Sequence, residues 1–236
     1  MSKRAIILAG GKGTRLRPYT WVLPKPLMPI GEHPILDIII RQLISHGFNH
    51  ITLAVNHQAE LIKAFFGDGD KWNIKIDYSI EDKPLSTMGP LKLIHNLPEN
   101  FLIMNGDILT DLDFSAFYRN HEEKEDIFTI SSYVREHIND YGVLETDENQ
   151  KLSGFKEKPR TRFEVSMGIY MASNRILPFI PEGKSYGFDS LMIDLLKANN
   201  PATVKEHKGY WLDIGRPDDY HQAIEKLEKD NNFLIK

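Results

Sequence analysis

Residues 5–16 read Ala-Ile-Ile-Leu-Ala-Gly-Gly-Lys-Gly-Thr-Arg-Leu, an apolar run that leads directly into a glycine-rich stretch. The apolar residues from Ala5 to Leu8 are typical of a buried strand, and the glycines predict a tight turn at its carboxyl end. Backbone N–H groups in such a loop can approach an anion without obstruction by a Cβ atom. Lys12 and Arg15 add positive charge, so the stretch predicts a phosphate-binding loop after the first strand.

Through the first half of the chain, short apolar runs alternate with segments in which apolar residues recur with the period of a helix. This alternation is typical of βαβ units, so we predict an α/β fold with a mixed, mainly parallel sheet flanked by helices in a single domain. The second half is richer in strand signals. Strands are predicted at 51–55, 74–79, 101–104, 127–134, 142–145, 152–155 and 165–171, and helices at about 34–47, 57–66, 188–197 and 218–229.

Composition excludes several classes of chemistry. The 236 residues include no cysteine, which rules out disulfides, thiolate metal sites and a cysteine nucleophile. The formal net charge of −4 argues against a nucleic-acid partner. No window approaches the ~20 apolar residues that span a bilayer, and the amino terminus lacks a secretory pattern, so we expect a cytoplasmic protein without a membrane partner.

A second basic element follows the glycine loop. Pro24-Lys25-Pro26 places a lysine between two residues of fixed φ, which suits an anion clamp, although a lysine in such a loop is often merely solvated. The glycines alone are also compatible with a simple strand-to-helix turn. Their spacing matches neither the P-loop nor the dinucleotide-binding pattern, because Leu16 occupies the place of the last glycine.

Acidic residues follow two predicted strands. Asp107 comes after the strand at 101–104, and Asp213 follows the short apolar run that includes Trp211. Two carboxylates at strand ends suit Mg²⁺, which often binds one or two carboxylates together with substrate phosphates, although an Asx turn or a helix cap would explain either residue alone. Asp111-Leu-Asp113 has the D-x-D form of metal-dependent glycosyltransferases, but we expect Asp113 to cap a helix.

Six motifs occur together in an order that resembles the sugar-1-phosphate nucleotidyltransferases, the nucleotide-sugar pyrophosphorylases. The motifs are the glycine loop of residues 8–16, Pro24-Lys-Pro26, Asn105-Gly-Asp107, Glu157-Lys-Pro159, Gly168-Ile-Tyr170 and Trp211-Leu-Asp-Ile-Gly215. The resemblance covers nearly the whole chain and is closest to mannose-1-phosphate guanylyltransferase-like members. It implies a Rossmann-like catalytic domain over residues 1–236, without the C-terminal β-helix domain of longer relatives. Such a domain joins a nucleoside triphosphate to a sugar 1-phosphate and releases pyrophosphate.

The resemblance also implies a role for each matching residue. Arg15 and Lys25 would be catalytic, and Asp107 and Asp213 would bind Mg²⁺. The nucleotide-binding residues would be Leu8, Gly10, Gly11, Lys12, Gly13, Thr14, Glu81 and Gly89. The sugar phosphate would contact Gly142, Glu157, Lys158 and Gly168.

The segment from Glu81 to Gly89 is similar to the base-side segment of members that carry P-L-G-T-A-G. Ser86 and Met88 replace smaller residues of that pattern, and Ser166 stands where an asparagine is common. The similarity favours GTP and a mannose- or heptose-type 1-phosphate, with UTP, CTP and dTTP as alternatives. Two other classes stay open: a metal-dependent glycosyltransferase and a non-catalytic nucleotide-binding subunit. A homodimer is the commonest closed assembly.

Overall fold

The computed structural model describes residues 2–56 and 58–229, and it contains thirteen strands and five α-helices in that part of the chain. The helices are α1 (Ile35–Ser45), α2 (Ala59–Phe66), α3 (Phe114–Glu123), α4 (Phe188–Lys197) and α5 (Pro217–Lys229). The strands are β1 (Lys3–Leu8), β2 (Pro29–Ile30), β3 (His33–Pro34), β4 (Phe48–Val55), β5 (Lys75–Ile80), β6 (Asn100–Asn105), β7 (Ile108–Thr110), β8 (Phe128–Ile138), β9 (Val143–Thr146), β10 (Leu152–Lys156), β11 (Arg160–Ser173), β12 (Thr203–Glu206) and β13 (Trp211–Asp213).

Seven of these strands form the central sheet, in the order β12-β8-β11-β6-β1-β4-β5. The pairs β1–β4, β1–β6, β4–β5 and β8–β12 are parallel. Only β11 runs antiparallel to its neighbours, β6 and β8. The predicted mixed, mainly parallel sheet is confirmed.

Helices cover both faces of this sheet. Ile7 of β1 belongs to a buried cluster that includes Leu36 and Ile39 of α1. The adjacent Ile6 belongs to a second cluster with Leu191 of α4. Successive side chains of a strand point to opposite faces, so a strand with two covered faces is apolar at every position. This explains the continuous apolar run of residues 5–8, and the two clusters share one sheet in one domain.

Two strands are longer than their hydrophobic patterns predict. The strand predicted at 127–134 continues to Ile138 in β8, and the one predicted at 165–171 begins at Arg160 in β11. Their added halves are exposed, so they lack the apolar alternation that marks a buried strand. These halves and the separate β9–β10 pair form a projection that we call the arm (residues 134–164).

The helix predictions hold with small shifts at the ends. The helix predicted from 57 begins at Ala59, and residue 57 lies outside the described residues. Asp113 caps α3 as expected, since its Oδ1 accepts the N–H of Ala116 at 2.8 Å. No α-helix in the described ranges has the length and apolar character needed to cross a membrane.

Candidate active site

The carboxyl ends of β1 and β6 lie side by side and bring two of the predicted motifs together. Leu8 pairs with Asn105, and the N–H of Gly106 donates to the Leu8 carbonyl at 2.9 Å. A Cβ at residue 106 would lie 3.2 Å from that carbonyl oxygen, so a larger residue would push the two strand ends apart by a few tenths of an ångström. The glycine loop and Asp107 therefore lie at the same edge of the sheet.

The glycine loop turns sharply and leaves part of its backbone uncovered. Gly13 has a φ of +58°, and a Cβ there would lie 2.8 Å from Cγ2 of Thr20. The Thr20 hydroxyl donates to the Gly13 carbonyl at 2.7 Å, which holds the turn closed. In contrast, a Cβ at Gly11 would meet no atom within 4 Å. The loop thus combines a fixed turn with an open stretch of backbone that a ligand can approach.

Lys25 lies in a short 3₁₀ helix, Lys25–Leu27, and is only 8% exposed. Its ammonium group donates to Oδ2 of Asp107. The other carboxylate oxygen, Oδ1, is buried and has no hydrogen-bond partner among the described residues. A buried carboxylate oxygen without a partner is costly, so this atom is suited to a metal ion or a donor from a ligand.

The second acidic residue joins this group through the pairing of β7 with β13. Asp213 pairs with Ile108, and the N–H of Ile214 donates to the Asp107 carbonyl at 3.0 Å. Surrounding protein atoms and the negative charge of Asp107 raise the pKa of Asp213, whereas Lys25 and Arg15 lower that pKa. The structure therefore brings the two carboxylates and the two cations into one electrostatic cluster.

Arg15 reaches the cluster from the 3₁₀ helix that follows the glycine loop. Its guanidinium nitrogens lie 3.4 Å from the position that a Cβ on Gly215 would occupy. The guanidinium therefore lies in van der Waals range of residue 215, two positions after Asp213. Two motifs separated by about two hundred positions along the chain meet at this contact.

The two carboxylates of the cluster fit a magnesium ion by the kind of ligand atom they offer. No group of three or more histidine, aspartate or glutamate side chains forms a metal site within the described ranges. Asp107, with its unpartnered Oδ1, and the neighbouring Asp213 would be the two protein ligands, both through oxygen. Mg²⁺ commonly binds one or two carboxylates and completes its shell with water and substrate phosphates.

A cavity of about 310 Å³ opens beside this cluster, and we call it the first cavity. Of the residues predicted to bind nucleotide, Leu8, Gly10, Gly11 and Glu81 line it, together with Lys25 and Asp107. Lys12, Gly13 and Thr14 lie in the loop but not in the cavity wall. Its remaining walls include Ala54, Asn56, Pro84, Ser86, Thr87 and Pro90.

The segment from Glu81 to Gly89 forms one side of the first cavity. The Leu85 N–H donates to Oε2 of Glu81 at 3.0 Å, and burial raises the pKa of Glu81. Gly89 lies behind this wall, where its N–H donates to the Tyr186 carbonyl at 3.0 Å. A Cβ at Gly89 would lie 2.9 Å from Cβ of Leu85, so the structure gives this glycine a packing role.

A second cavity of about 300 Å³ shares Asn105 with the first. Gly168 lines it with a φ of +74°, and a Cβ there would lie 2.6 Å from the Asn105 amide nitrogen. The Ser166 hydroxyl accepts the Gly168 N–H at 3.1 Å. The other lining residues are Arg135, Val165, Met167, Tyr170, Trp211 and Asp213. The charged cluster therefore lies between two adjacent cavities.

Three of the predicted sugar-phosphate residues lie elsewhere. Gly142 and Glu157 are neighbours in the arm, because a Cβ at Gly142 would be 3.2 Å from Oε2 of Glu157. Lys158 follows in the turn to β11 with a φ of +43°. None of these three residues lines either of the two cavities.

Among the lining residues of the second cavity to which the sequence assigns no site role, Trp211 and Arg135 stand out. Trp211 belongs to a quoted motif, and its indole N–H donates to the Met167 carbonyl at 3.1 Å. Arg135 carries no sequence signal, because it lies in the part of β8 that the apolar pattern did not reveal. Its position follows only from the strand register.

The two aspartates of the D-x-D sequence have structural roles and line neither of the two cavities. Asp111 Oδ1 accepts the N–H of Tyr210 at 2.7 Å and lies 2.8 Å from Nε2 of His207. The N–H of Ala116 lowers the pKa of Asp113 by donating to its carboxylate. Both carboxylates are thus engaged by protein groups.

Comparison with known proteins gives the family. A family model described as nucleotidyl transferase matches residues 4–230. The chain is 36% identical to the UTP–glucose-1-phosphate uridylyltransferase of Synechocystis sp. over 94% of this chain and 62% of that protein. It is 32% identical to the mannose-1-phosphate guanyltransferase of Hypocrea jecorina over 92% of this chain and 62% of that protein. It thus spans about three fifths of the length of these curated relatives.

A solved structure agrees with this match. HddC from Yersinia pseudotuberculosis, complexed with GMP-PN, superposes with a TM-score of 0.73 at 28% identity, covering 95% of this chain and 99% of that one. The shared fold, the matched family model and the relatives lead to one conclusion. This chain belongs to the nucleotidyl transferase family.

Proposed function

We propose that this chain joins a nucleoside triphosphate to a sugar 1-phosphate, forming an NDP-sugar and pyrophosphate. The observation that carries the proposal is the meeting of Arg15, Lys25, Asp107 and Asp213 between two adjacent cavities. The first cavity would hold the nucleotide, and the second would hold the sugar. The reacting phosphates would lie where the two cavities meet.

The reaction requires charge neutralisation more than proton transfer. A phosphate oxygen of the sugar 1-phosphate attacks the α-phosphorus. The bond from that phosphorus to the oxygen that bridges the α- and β-phosphates breaks, and pyrophosphate leaves with that oxygen. The nucleophile is already anionic, so no general base is needed. Two polyanions must be held in line, and this is the task of fixed cations and backbone N–H groups.

Lys25 and Arg15 fit this task by position. Lys25 is nearly buried and already held by Asp107, so its ammonium group needs little reorganisation to meet a phosphate. Arg15 extends the positive charge on the side of Asp213 and offers a planar fork that matches two phosphate oxygens. Gly10 and Gly11 would present backbone N–H groups to the β- and γ-phosphates.

Asp107 and Asp213 would hold the Mg²⁺ ion. When bound, the ion would neutralise charge on the phosphates and fix their orientation. The ion pair with Lys25 keeps one oxygen of Asp107 in place and leaves Oδ1 unpartnered for this purpose. The raised pKa of Asp213 implies that a cation at this position would be favourable, because it would stabilise the ionised carboxylate.

We propose GTP and a mannose- or heptose-type 1-phosphate as substrates. Several relatives carry the name mannose-1-phosphate guanyltransferase, and the HddC structure contains GMP-PN. The free oxygen of Glu81 can accept an N–H from guanine. The uridylyltransferase relative supports UTP as the first alternative, with CTP and dTTP next. A cytoplasmic homodimer, and sugar-phosphate roles for Gly142, Glu157 and Lys158, stay predictions.

A substrate screen tests the proposal. The four nucleoside triphosphates, each with Mg²⁺, are combined with several sugar 1-phosphates, and pyrophosphate release is measured. At least one pair should give sustained pyrophosphate release that depends on the sugar phosphate. Free nucleoside diphosphate formed from a nucleotide sugar would instead indicate a glycosyltransferase. Ligand-induced stabilisation without turnover across the whole panel would indicate a non-catalytic subunit.

A further inference from the structure

A guanidinium group that has an aromatic neighbour but no acidic partner lies at the second cavity. Arg135 lines this cavity, and its Cζ atom lies 5.3 Å from the centre of the Trp211 ring. Within residues 2–56 and 58–229 it forms no ion pair and no hydrogen bond through its side chain. Arg160 and Arg162, on the other face of the same strand pair, both lie 3.3 Å from Glu136.

The surroundings of Arg135 contain no acidic side chain on its own face of the sheet. Residues directly opposite in an antiparallel pair share a face, and positions two apart along a strand share it too. The register pairs Arg135 with Phe163 and Tyr133 with Val165, and His137 is the next residue on that face. The strands β8 and β11 therefore place no negative charge beside Arg135 on this face, and the carboxylate that lines the same cavity belongs to Asp213 of β13.

The second cavity has a catalytic end and a far end. Asn105, Gly168 and Asp213 form the catalytic end, because Asn105 also lines the first cavity. Trp211 precedes Asp213 by two residues on β13, which puts the two side chains on one face about 6.6 Å apart along the strand. Arg135 contacts the Trp211 ring and so lies toward the far end, next to Val165.

We propose that Arg135 selects a sugar 1-phosphate that carries a second anionic group away from the anomeric phosphate. The inference rests on the proposed function, which puts the anomeric phosphate at the catalytic end and the sugar ring along Trp211. The planar guanidinium then meets the far side of the ring. Its paired N–H groups match the two oxygens of a carboxylate or a phosphate. The second group is thus a sugar carboxylate or a second phosphate.

Two matched ligand pairs test this assignment by isothermal titration calorimetry of the full chain with Mg²⁺. One pair is glucuronate 1-phosphate and glucose 1-phosphate, and the other is mannose 1,6-bisphosphate and mannose 1-phosphate. We expect the anionic member of at least one pair to bind about 10- to 100-fold more tightly, equivalent to about 1.4–2.8 kcal/mol. The pair that shows the preference identifies the second group as carboxylate or phosphate.

Three variants assign the preference to this side chain. Arg135→Met keeps the stem over Trp211 and removes the charge, so the preference should fall to within about twofold. Arg135→Lys keeps the charge without the planar fork and should restore part of the preference. Arg162→Met removes a cation from the opposite face and should leave the preference unchanged. Circular dichroism and thermal unfolding confirm that each variant is folded.

The results separate this inference from the proposed function. Equal affinity of the wild type for both members of both pairs overturns the inference, as does a preference that survives in Arg135→Met. Neither result affects the proposed function, which pyrophosphate release tests separately. Absence of pyrophosphate with every substrate pair would overturn the proposed function, and the calorimetric preference would still decide whether Arg135 binds a second anion.

Discussion

Replacing Lys25 with methionine removes a charge that lies at the centre of the proposed reaction. The lysine is 8% exposed, its ammonium group is held by Asp107, and its charge also acts on Asp213. Loss of one preorganised group that stabilises transition-state charge costs about 10²–10³-fold in kcat, or about 2.7–4 kcal/mol. Because Lys25 is fixed before substrate binds, we expect a loss of this order in Lys25→Met.

The same change should cost less in folding than in catalysis. Breaking a fully buried ion pair costs about 3–5 kcal/mol, since one charge is left without its partner. The Asp107 side chain is 25% exposed, so water can partly replace the lysine, and we expect a loss of about 1–2 kcal/mol. A domain with a free energy of unfolding of about 5–15 kcal/mol tolerates that loss.

Pyrophosphate release and urea unfolding measure the two effects separately. The control is Lys63→Met, which removes a partly exposed lysine of α2 that lies 3.2 Å from Glu60, and it should preserve both activity and stability. A kcat for Lys25→Met within about threefold of the wild type would refute the assignment of Lys25 to the reaction. Loss of activity caused only by unfolding would show as a matching loss of the urea transition.

Three further changes test other parts of the structure. Gly13→Ala should lower the free energy of unfolding by about 1–2 kcal/mol, because the residue has a φ of +58° and its Cβ would clash with Thr20. Burial lowers the pKa of His121 to about 4 from the usual histidine value of 6.5, so the unfolded state binds more protons than the folded state as the pH falls through 6.5. The wild type should therefore lose about 2 kcal/mol between about pH 7.5 and about pH 5, and His121→Asn should not. Asp213→Asn should increase stability at neutral pH, because the raised pKa of Asp213 makes its ionised form unfavourable, while turnover falls about 10²-fold.

A different result would contradict each of these three predictions. An unchanged urea midpoint in Gly13→Ala would show that the turn relaxes without strain. An equal loss of stability in His121→Asn and the wild type at low pH would assign the acid sensitivity to another group. Asp213→Asn that is less stable at neutral pH, or that keeps full turnover, would contradict the description of this carboxylate.

The sequence predicted the parallel core of the fold well because each buried strand there is a continuous apolar run. Residues 5–8 and 101–104 carry this signal, and they lie within the observed strands β1 and β6. The arm was underestimated for the opposite reason. Residues 135–138 and 160–164 are held by cross-strand pairing while they remain exposed, and backbone hydrogen bonding leaves no apolar alternation in a sequence.

The site shows a similar division between local and long-range information. The glycine loop, Lys25 and Asp107 could be predicted to converge because strand ends of a parallel sheet share one edge. Gly89 was expected at the nucleotide, but its packing against Leu85 and Tyr186 depends on a segment about a hundred residues away. Arg135 could not be predicted, because the face it occupies is set by the register of β8 with β11.

The location of the metal tests the central claim most directly. Crystals of the full chain are grown with Mn²⁺ and a non-hydrolysable analogue of the nucleoside triphosphate that the substrate screen selects, and the anomalous signal of manganese locates the ion. The account predicts one peak within coordination distance of Asp107 and Asp213, with the triphosphate contacted by Arg15 and Lys25. A peak at another place in the molecule, with those four side chains away from the nucleotide, would contradict it.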